Sequence, residues 1–481
     1  MTRERLHQSS SHPNWLYILA VDLAPQSDQT NAWALVVFAV VLVMAACNAS
    51  SDPIATVAPT TQPASTPTVA SVSPDPTSIP SPLVGRTPAV VAAPERPLTG
   101  ADQLALTDFA ELHGKRVGII VNQTSLLSDG QHLIDALNDQ PLVDLALVFA
   151  PEHGVRGSAD AGELVDDVID ESSGIAIRSL YGANRSPALA DLRELDVLVY
   201  DLQDAGTRFY TFISTMGLAM GAADAAGIEF IVLDRPNPLG GTLISGFART
   251  ADQESFISQY PIPAVYGMTP GELALMIAGE GWMGDRVLPP PTVVAMSGWT
   301  RQGWPETREW IAPSPGLPTI EATITYPGTV VLEATRLSYG KGTEIPFSMV
   351  GSPTLDHTAL ADDLNTRALP GVLFRAFEVM PDPEIAPNPR FPNESINAVR
   401  IIVTDPVSYR PVETGIYLLT ALRDQFGSTD FIDRAPTFDL LAGTTQLRTM
   451  LDSGATAPEI VAAWEAEAAA FSLLREPYLL Y

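Results

Sequence analysis

Four short runs between residues 116 and 233 are almost unbroken in apolar side chains: Arg116–Val121, Asp144–Phe149, Asp196–Tyr200 and Ile228–Leu233. Runs of this kind belong to strands covered on both faces, because a half-exposed strand alternates apolar with polar. Stretches with helical character separate them, at Ser128–Asn138, Ala188–Glu194 and Phe212–Ala226. Strands alternating with helices require right-handed crossovers and build a doubly wound parallel sheet. The pattern therefore predicts an α/β lobe over residues 98–245. Residues 246–481 are less regular and predict a second, smaller α/β or α+β lobe closing over the first. Thr269-Pro270-Gly271-Glu272 has the order of a helix start, with Thr as cap, Pro first and Glu third, and opens a helix to Gly279. A strand at Ala398–Thr404 and a terminal helix at Pro458–Leu474 complete the second lobe.

The first hundred residues have a different texture. Ala32–Ala46 is a run of fifteen apolar residues, too short for a comfortable membrane span and suited to a secretory leader. It ends in Met44-Ala45-Ala46-Cys47, which resembles a bacterial lipobox. Residues 1–47 are thus expected to be a leader that leaves Cys47 as a lipidated N-terminus; an ordinary signal peptide is the plainer alternative. Residues 48–97 form a Pro/Thr/Ser-rich tether holding eleven of the 42 prolines, a composition that favours extended, solvated chain. The expected location is the cell envelope, exported and anchored to the membrane by lipid.

Composition narrows the chemistry. The formal charge is −29, and only two of the 27 basic residues are lysines, Lys115 and Lys341. Such a balance argues against a nucleic-acid partner. Cys47 is the sole cysteine, which removes disulfides, Cys-rich zinc sites and iron–sulfur clusters. There is no GxSxG elbow, no P-loop, no HExxH, and no GxGxxG after the first strand. No cofactor and no metal are called for.

Ligands of doubly wound sheets bind beyond the carboxyl ends of the strands. Those ends carry Asn122-Gln123-Thr124, then Glu152-His153 with Arg156, then Asp201 and Asp204 with Arg208, then Asp234-Arg235. All four are polar and bounded by turn-forming residues, which makes this edge the candidate site. Glu152, just past a buried strand, is placed to be a desolvated general acid, or to cap a helix or pair with Arg156. Asp201 and Asp204 are candidates for the second carboxyl group, or partners for Arg208. Asp234 and Arg235 read as an internal ion pair. Arg156, Arg208 and Arg235 suit an anionic substrate or balance neighbouring acids. Tyr266 reaches the cleft or packs under the following helix. Trp299, Trp304 and Trp310 either stack on sugar or belong to the core.

Several segments occur in a familiar order: GKRVGIIVNQTSL, FAPEHGVRGSADAGE, YDLQDAGTRFYTFISTM, LDRPNPLGG, SFISQYPIPAVYGMTPGELA, APSPGLPT, YPGTVVLEATRLSYGKGTEIPF and REPYLLY. Over residues 98–481 the chain resembles the family once called domain of unknown function 1343, which includes exo-β-N-acetylmuramidases of glycoside hydrolase family 171. The resemblance implies a Rossmann-like lobe, a smaller C-terminal lobe and a cleft between them. It implies release of terminal N-acetylmuramic acid from the non-reducing end of peptidoglycan fragments. The family's proposed catalytic glutamate falls on Glu152, and His153, Asn122 and Gln123 are then expected to bind or orient the sugar. The lactyl carboxylate would give the strand-end arginines a partner. The chain departs from the family's SPN at Gly316, and from its SEGRGT at Tyr339 and Lys341.

The reading is a lipid-anchored, exo-acting glycosidase using two carboxyl groups. Its partners are peptidoglycan-derived saccharides and, through the anchor, the membrane. A non-catalytic envelope lipoprotein that binds peptidoglycan or sugar is the alternative from another class. A hydrolase of esters or amides lacks a recognisable nucleophile.

Overall fold

A computed structural model describes residues 96–152, 154–155, 167–170, 172–182, 184–284, 287–302 and 308–481. Cys47, the tether, His153, Arg156 and Trp304 lie outside the described residues.

Seven strands form the main sheet: β1 (Arg116–Val121), β2 (Asp144–Ala150), β3 (Val168–Ile169), β4 (Ala176–Ser179), β5 (Val197–Asp201), β6 (Glu229–Leu233) and β7 (Thr292–Val294). Their spatial order is β3-β4-β2-β1-β5-β6-β7, parallel except for β3 at the edge. The order reverses between β1 and β5, which is where a doubly wound sheet opens its crevice. All four runs read from the sequence are central strands. β7 also joins this sheet, so the sheet draws on chain beyond residue 245.

The alternation along the strands explains why both faces are apolar. Val117, Ile119, Val121, Val148, Val199 and Ile231 turn to one side, where Leu104, Leu133, Ile134 and Leu137 cover them. Ile120, Phe149, Leu198, Tyr200 and Val232 turn to the other. Helix Phe212–Ala226, found with the bounds read from the sequence, packs there with helix Pro270–Gly279. Each such buried aliphatic or aromatic side chain contributes roughly 1.5–3 kcal/mol. Thr269 caps the second helix with the expected reciprocal box: its hydroxyl receives the Glu272 amide, and Glu272 receives the Thr269 amide.

Three expected helices are shorter, and that at Ala188–Glu194 is reduced to Leu189–Leu192. Only Leu133–Asn138 of the first is helical, because Asp129-Gly130 makes a turn and His132 supplies the cap through Nδ1. The terminal helix is two, Ala457–Ala462 and Glu465–Arg475, and between them Trp464 packs edge-on against Phe247.

The smaller lobe has an antiparallel sheet of β8 (Met349–Ser352), β9 (Val372–Val379) and β10 (Ile396–Val403), in the order β8-β10-β9. Its core runs without a break into that of the first lobe through Tyr326, Val330, Leu337 and Val412. Helices Ile320–Thr329 and Pro411–Phe426 cross at Gly328 and Gly415. A Cβ on Gly415 would lie 2.1 Å from the Gly328 carbonyl oxygen. Gly415→Ala gains helix propensity of about 1 kcal/mol, yet the collision is with backbone that cannot rotate away. Net destabilisation of about 1–3 kcal/mol is expected from overpacking. Urea denaturation checks it, and an unchanged midpoint would contradict so close a crossing.

Candidate active site

The carboxyl ends of β1, β5 and β6 are fastened by one ion pair. Arg235, following β6, donates from Nε and Nη2 to the two oxygens of Asp201 at 2.5 and 2.8 Å. Both side chains are almost fully buried. This corrects the expected Asp234–Arg235 side-chain pair: the guanidinium turns back to the strand beside it. Asp234 instead accepts from Thr269 Oγ1, the Gly271 amide and the Tyr481 phenol, and burial pushes it up to about 6. Its role is to pin helix Pro270–Gly279 and the chain's last residue to the sheet.

Asn122 shapes the turn after β1. Its side-chain oxygen receives the Thr124 amide and hydroxyl. Gln123 reaches across to the Ala312 carbonyl at 2.9 Å. Asn122 Nδ2 and Gln123 Oε1 have no hydrogen-bond partner among the described residues.

Arg208 does not join the strand-end edge. Fully buried, it donates through Nη2 to the carbonyls of Leu441 and Ala442 at 3.1 and 2.9 Å, and through Nη1 to Ser258. Burial away from any carboxylate, with Arg249 nearby, lowers it to about 9. It ties the first lobe to the helix Ala435–Ala442. Gly443, with φ at +78°, must lack a side chain because a Cβ would meet that guanidinium at 2.5 Å.

Asp204 takes no part in the Arg235 pair. Its Oδ2 accepts the Tyr266 hydroxyl and the Gly206 amide, while Oδ1 has no partner among the described residues. Burial raises it to about 6 against these hydrogen bonds. Tyr266 is fully buried and bonded to Asp204, which accords with the packed alternative.

Glu152, half-buried just past β2, accepts a hydrogen bond from Tyr181, whose phenol is pushed up to about 12 by burial and by this carboxylate. The charge of Glu152 is felt by Tyr210, Tyr326 and Glu333. Glu333 was not singled out in the sequence. It lies in a 3₁₀ segment, Val330–Ala334, of the smaller lobe. Burial pushes it up to about 7, with Arg434 and Lys341 opposing and Glu152 adding to the rise. The one signal in the sequence was its position as a lone acid in the apolar stretch VVLEATRL.

Aromatic rings wall this region. Phe209 meets Tyr326 edge-on at 5.2 Å, Tyr326 meets Phe347 at 4.7 Å, and Tyr339 stacks on Phe347 at 4.7 Å. Trp299 and Trp310 make their contacts elsewhere. Trp299 packs edge-on to Tyr481, and Trp310 donates to the Leu317 carbonyl.

The whole folded part has known relatives. The model of the N-terminal domain of exo-β-N-acetylmuramidase NamZ matches residues 117–321, and that of its C-terminal domain matches residues 324–481. A peptidoglycan β-N-acetylmuramidase NamZ from Bacillus subtilis (strain 168) is 39% identical over 385 residues, covering 80% of this chain and 91% of the relative. A crystal structure of a DUF1343 family protein from Bacteroides fragilis NCTC 9343 superposes with a TM-score of 0.73 at 36% identity, covering 80% of this chain and 99% of that one. A second protein of the same family and organism gives 0.66 at 32%, with the same coverage. With both domain models matched in order along a shared α/β fold, the chain belongs to the exo-β-N-acetylmuramidase NamZ family.

Proposed function

We propose that the chain is an exo-acting β-N-acetylmuramidase, releasing terminal N-acetylmuramic acid from peptidoglycan fragments by means of Glu152 and Glu333. The coarser part, a glycosidase of the muramidase kind, rests on family membership. The carrying observation for the mechanism is a pair of carboxyl groups, one from each lobe, coupled across an aromatic-walled region. Two like charges near each other cannot both ionise freely. Glu333, pushed up to about 7 by burial, carries a proton near neutral pH and donates it to the glycosidic oxygen as the leaving group departs. Glu152, which accepts the Tyr181 hydroxyl, activates water or stabilises the positive charge developing on the sugar ring. This gives Glu152 the carboxylate role, where the sequence alone suggested the acid. Asp201 is engaged by Arg235 and serves as scaffold; Asp204 supports the site from beneath Tyr266.

We also propose that Cys47 carries the lipid anchor, on the ground that the sole cysteine closes an apolar leader. Fatty-acid labelling of the expressed chain should be lost in Cys47→Ala; persistent label would remove the anchor.

Glu152→Gln should lower turnover of a muramic acid–N-acetylglucosamine disaccharide by on the order of 10²–10⁴ while leaving the melting temperature intact. A folded variant with wild-type turnover would remove Glu152 from the chemistry. Binding of the disaccharide by wild type without turnover would instead favour a non-catalytic protein.

The pH dependence follows from Glu333. A donor pushed to about 7 loses its proton as pH rises through that value, so kcat/KM should descend there. An ordinary glutamate, near 4.3, would place this limb about two to three units lower. Glu333→Gln should abolish the limb with most of the turnover on the disaccharide, and spare more activity on a 4-nitrophenyl glycoside, whose leaving group needs less help. A profile flat between pH 6 and 8 would overturn the assignment.

A further inference from the structure

β4 runs parallel to β2 with Ser179 opposite Ala150, and the Leu180 amide donates to the Ala150 carbonyl at 2.7 Å. The two strands therefore release their chains side by side. Glu152 comes two residues past Ala150 and Tyr181 two past Ser179, and the Tyr181 hydroxyl donates to Glu152. Arg185 lies four residues further along the second chain, and its charge is felt at the Tyr181 phenol. Directly after it, the Ser186 hydroxyl donates to the Leu218 carbonyl at 3.3 Å and Pro187 is buried, which ties this segment to helix Phe212–Ala226. An exposed arginine is thus stationed at the rim of the region that holds Glu152.

What holds its side chain is a ring rather than an acid. The Arg185 guanidinium lies over Phe256, 4.4 Å from the ring centroid. Phe256 belongs to a turn closed by two backbone hydrogen bonds between Ser255 and Ser258, and the buried Arg208 donates to the Ser258 hydroxyl. The seat is therefore fixed from within the fold. Among the described residues Arg185 has no carboxylate partner, in a chain where 56 acids face 27 bases. The acids close to it along these segments are taken: Asp191 faces Arg178 at 3.6 Å and Glu254 faces Arg249 at 3.2 Å. A guanidinium over a ring face is held through its charge, which restricts the side chain and leaves its N–H donors unspent. The planar fork that remains matches a carboxylate.

We propose that Arg185 is a specificity residue: from its seat on Phe256 it takes the carboxylate of an acidic sugar whose glycosidic bond lies at Glu152. The acidic sugar rests on the glycosidase reading; the anion contact rests on the arginine and its ring. This is the work the sequence offered to Arg208 and Arg235, both of which are occupied within the fold.

Calorimetric titration of the full chain with N-acetylmuramic acid and with its methyl ester, which lacks the charge, tests this without turnover. The acid should bind more tightly than the ester. Arg185→Gln should weaken the acid about tenfold, the low end for hydrogen bonds to a charged group because the site opens to solvent, and leave the ester unchanged. The side chain is exposed, so the melting temperature should not move. Arg185→Lys, keeping the charge without the fork, should recover part of the loss. Phe256→Leu, which takes away the seat, should weaken the acid by less and again spare the ester. In turnover of 4-nitrophenyl β-N-acetylmuramic acid the loss in Arg185→Gln should fall on KM with kcat nearly unchanged, which a displaced Glu152 would not give. Wild-type affinity of Arg185→Gln for the acid would overturn the proposal, as would equal weakening of acid and ester. Discrimination of acid from ester that depends on Arg185, in a chain that hydrolyses no muramic glycoside, would keep the anion contact and overturn the glycosidase reading. Turnover without such discrimination would keep the glycosidase and overturn the anion contact.

Discussion

The buried pair between Asp201 and Arg235 is the constraint on which the strand-end edge depends. Removing two charges from water costs several kcal/mol for each, and only near-ideal geometry with further hydrogen bonds offsets it. Here both carboxylate oxygens are met by the guanidinium fork. The remaining donor capacity reaches the Leu126 carbonyl in the turn after β1, and Ser125 Oγ donates to the Asp201 carbonyl at 2.5 Å. One pair thus sets the relative position of three chain segments that enter the sheet's crevice separately. Taking away either partner would leave a buried charge unmatched, at a cost of about 3–5 kcal/mol.

A second set of contacts fixes the two lobes to each other. Arg208 donates from the first lobe to the carbonyls at 441 and 442. Arg475 donates in return to the carbonyls of Tyr266 and Gly267, directly above the phenol that meets Asp204. Tyr481 crosses back to Asp234. These are hydrogen bonds from cations or phenols in a dry interior, where they are stronger than in water. On the reading proposed above, their consequence is that Glu152 and Glu333, far apart in the chain and on different lobes, keep one separation. A pair of carboxyl groups can divide the work of acid and base only if that separation is held.

What the sequence disclosed follows from the range of the forces involved. The four central strands were legible because burial on both faces leaves an uninterrupted apolar record. Helix Pro270–Gly279 was legible because its cap is written within four residues. The short strands β3 and β7 left no such record, since their places are set by neighbours distant in sequence. The same limit applies to the site. That Asp201, Asp204 and Arg235 follow the ends of central strands could be read from the apolar runs before them. That Arg235 turns to Asp201, across 34 positions, rather than to the adjacent acid could not. Nor could the turning away of Arg208 or the coupling of Glu152 to Glu333, because each depends on how the lobes meet.

The departures at Tyr339 and Lys341 acquire a physical meaning at this point. Tyr339 stacks on Phe347 and stands close enough to Glu333 for that carboxylate to help push the phenol up. Where the family pattern has an acid, a phenol here contributes no negative charge at neutral pH, being itself pushed far up by burial. Glu333 is therefore spared a second like-charged neighbour and feels Glu152 alone in that sense, with Lys341 and Arg434 drawing it down. An additional carboxylate beside it would push it above about 7 and move the proton-donating range upward. The substitution thus leaves the backbone loop and its aromatic wall in place while altering the electrostatics around one carboxyl group. Tyr339 and Lys341 thus stand within electrostatic reach of Glu333 without taking part in the buried ion pairs and inter-lobe hydrogen bonds that hold the frame.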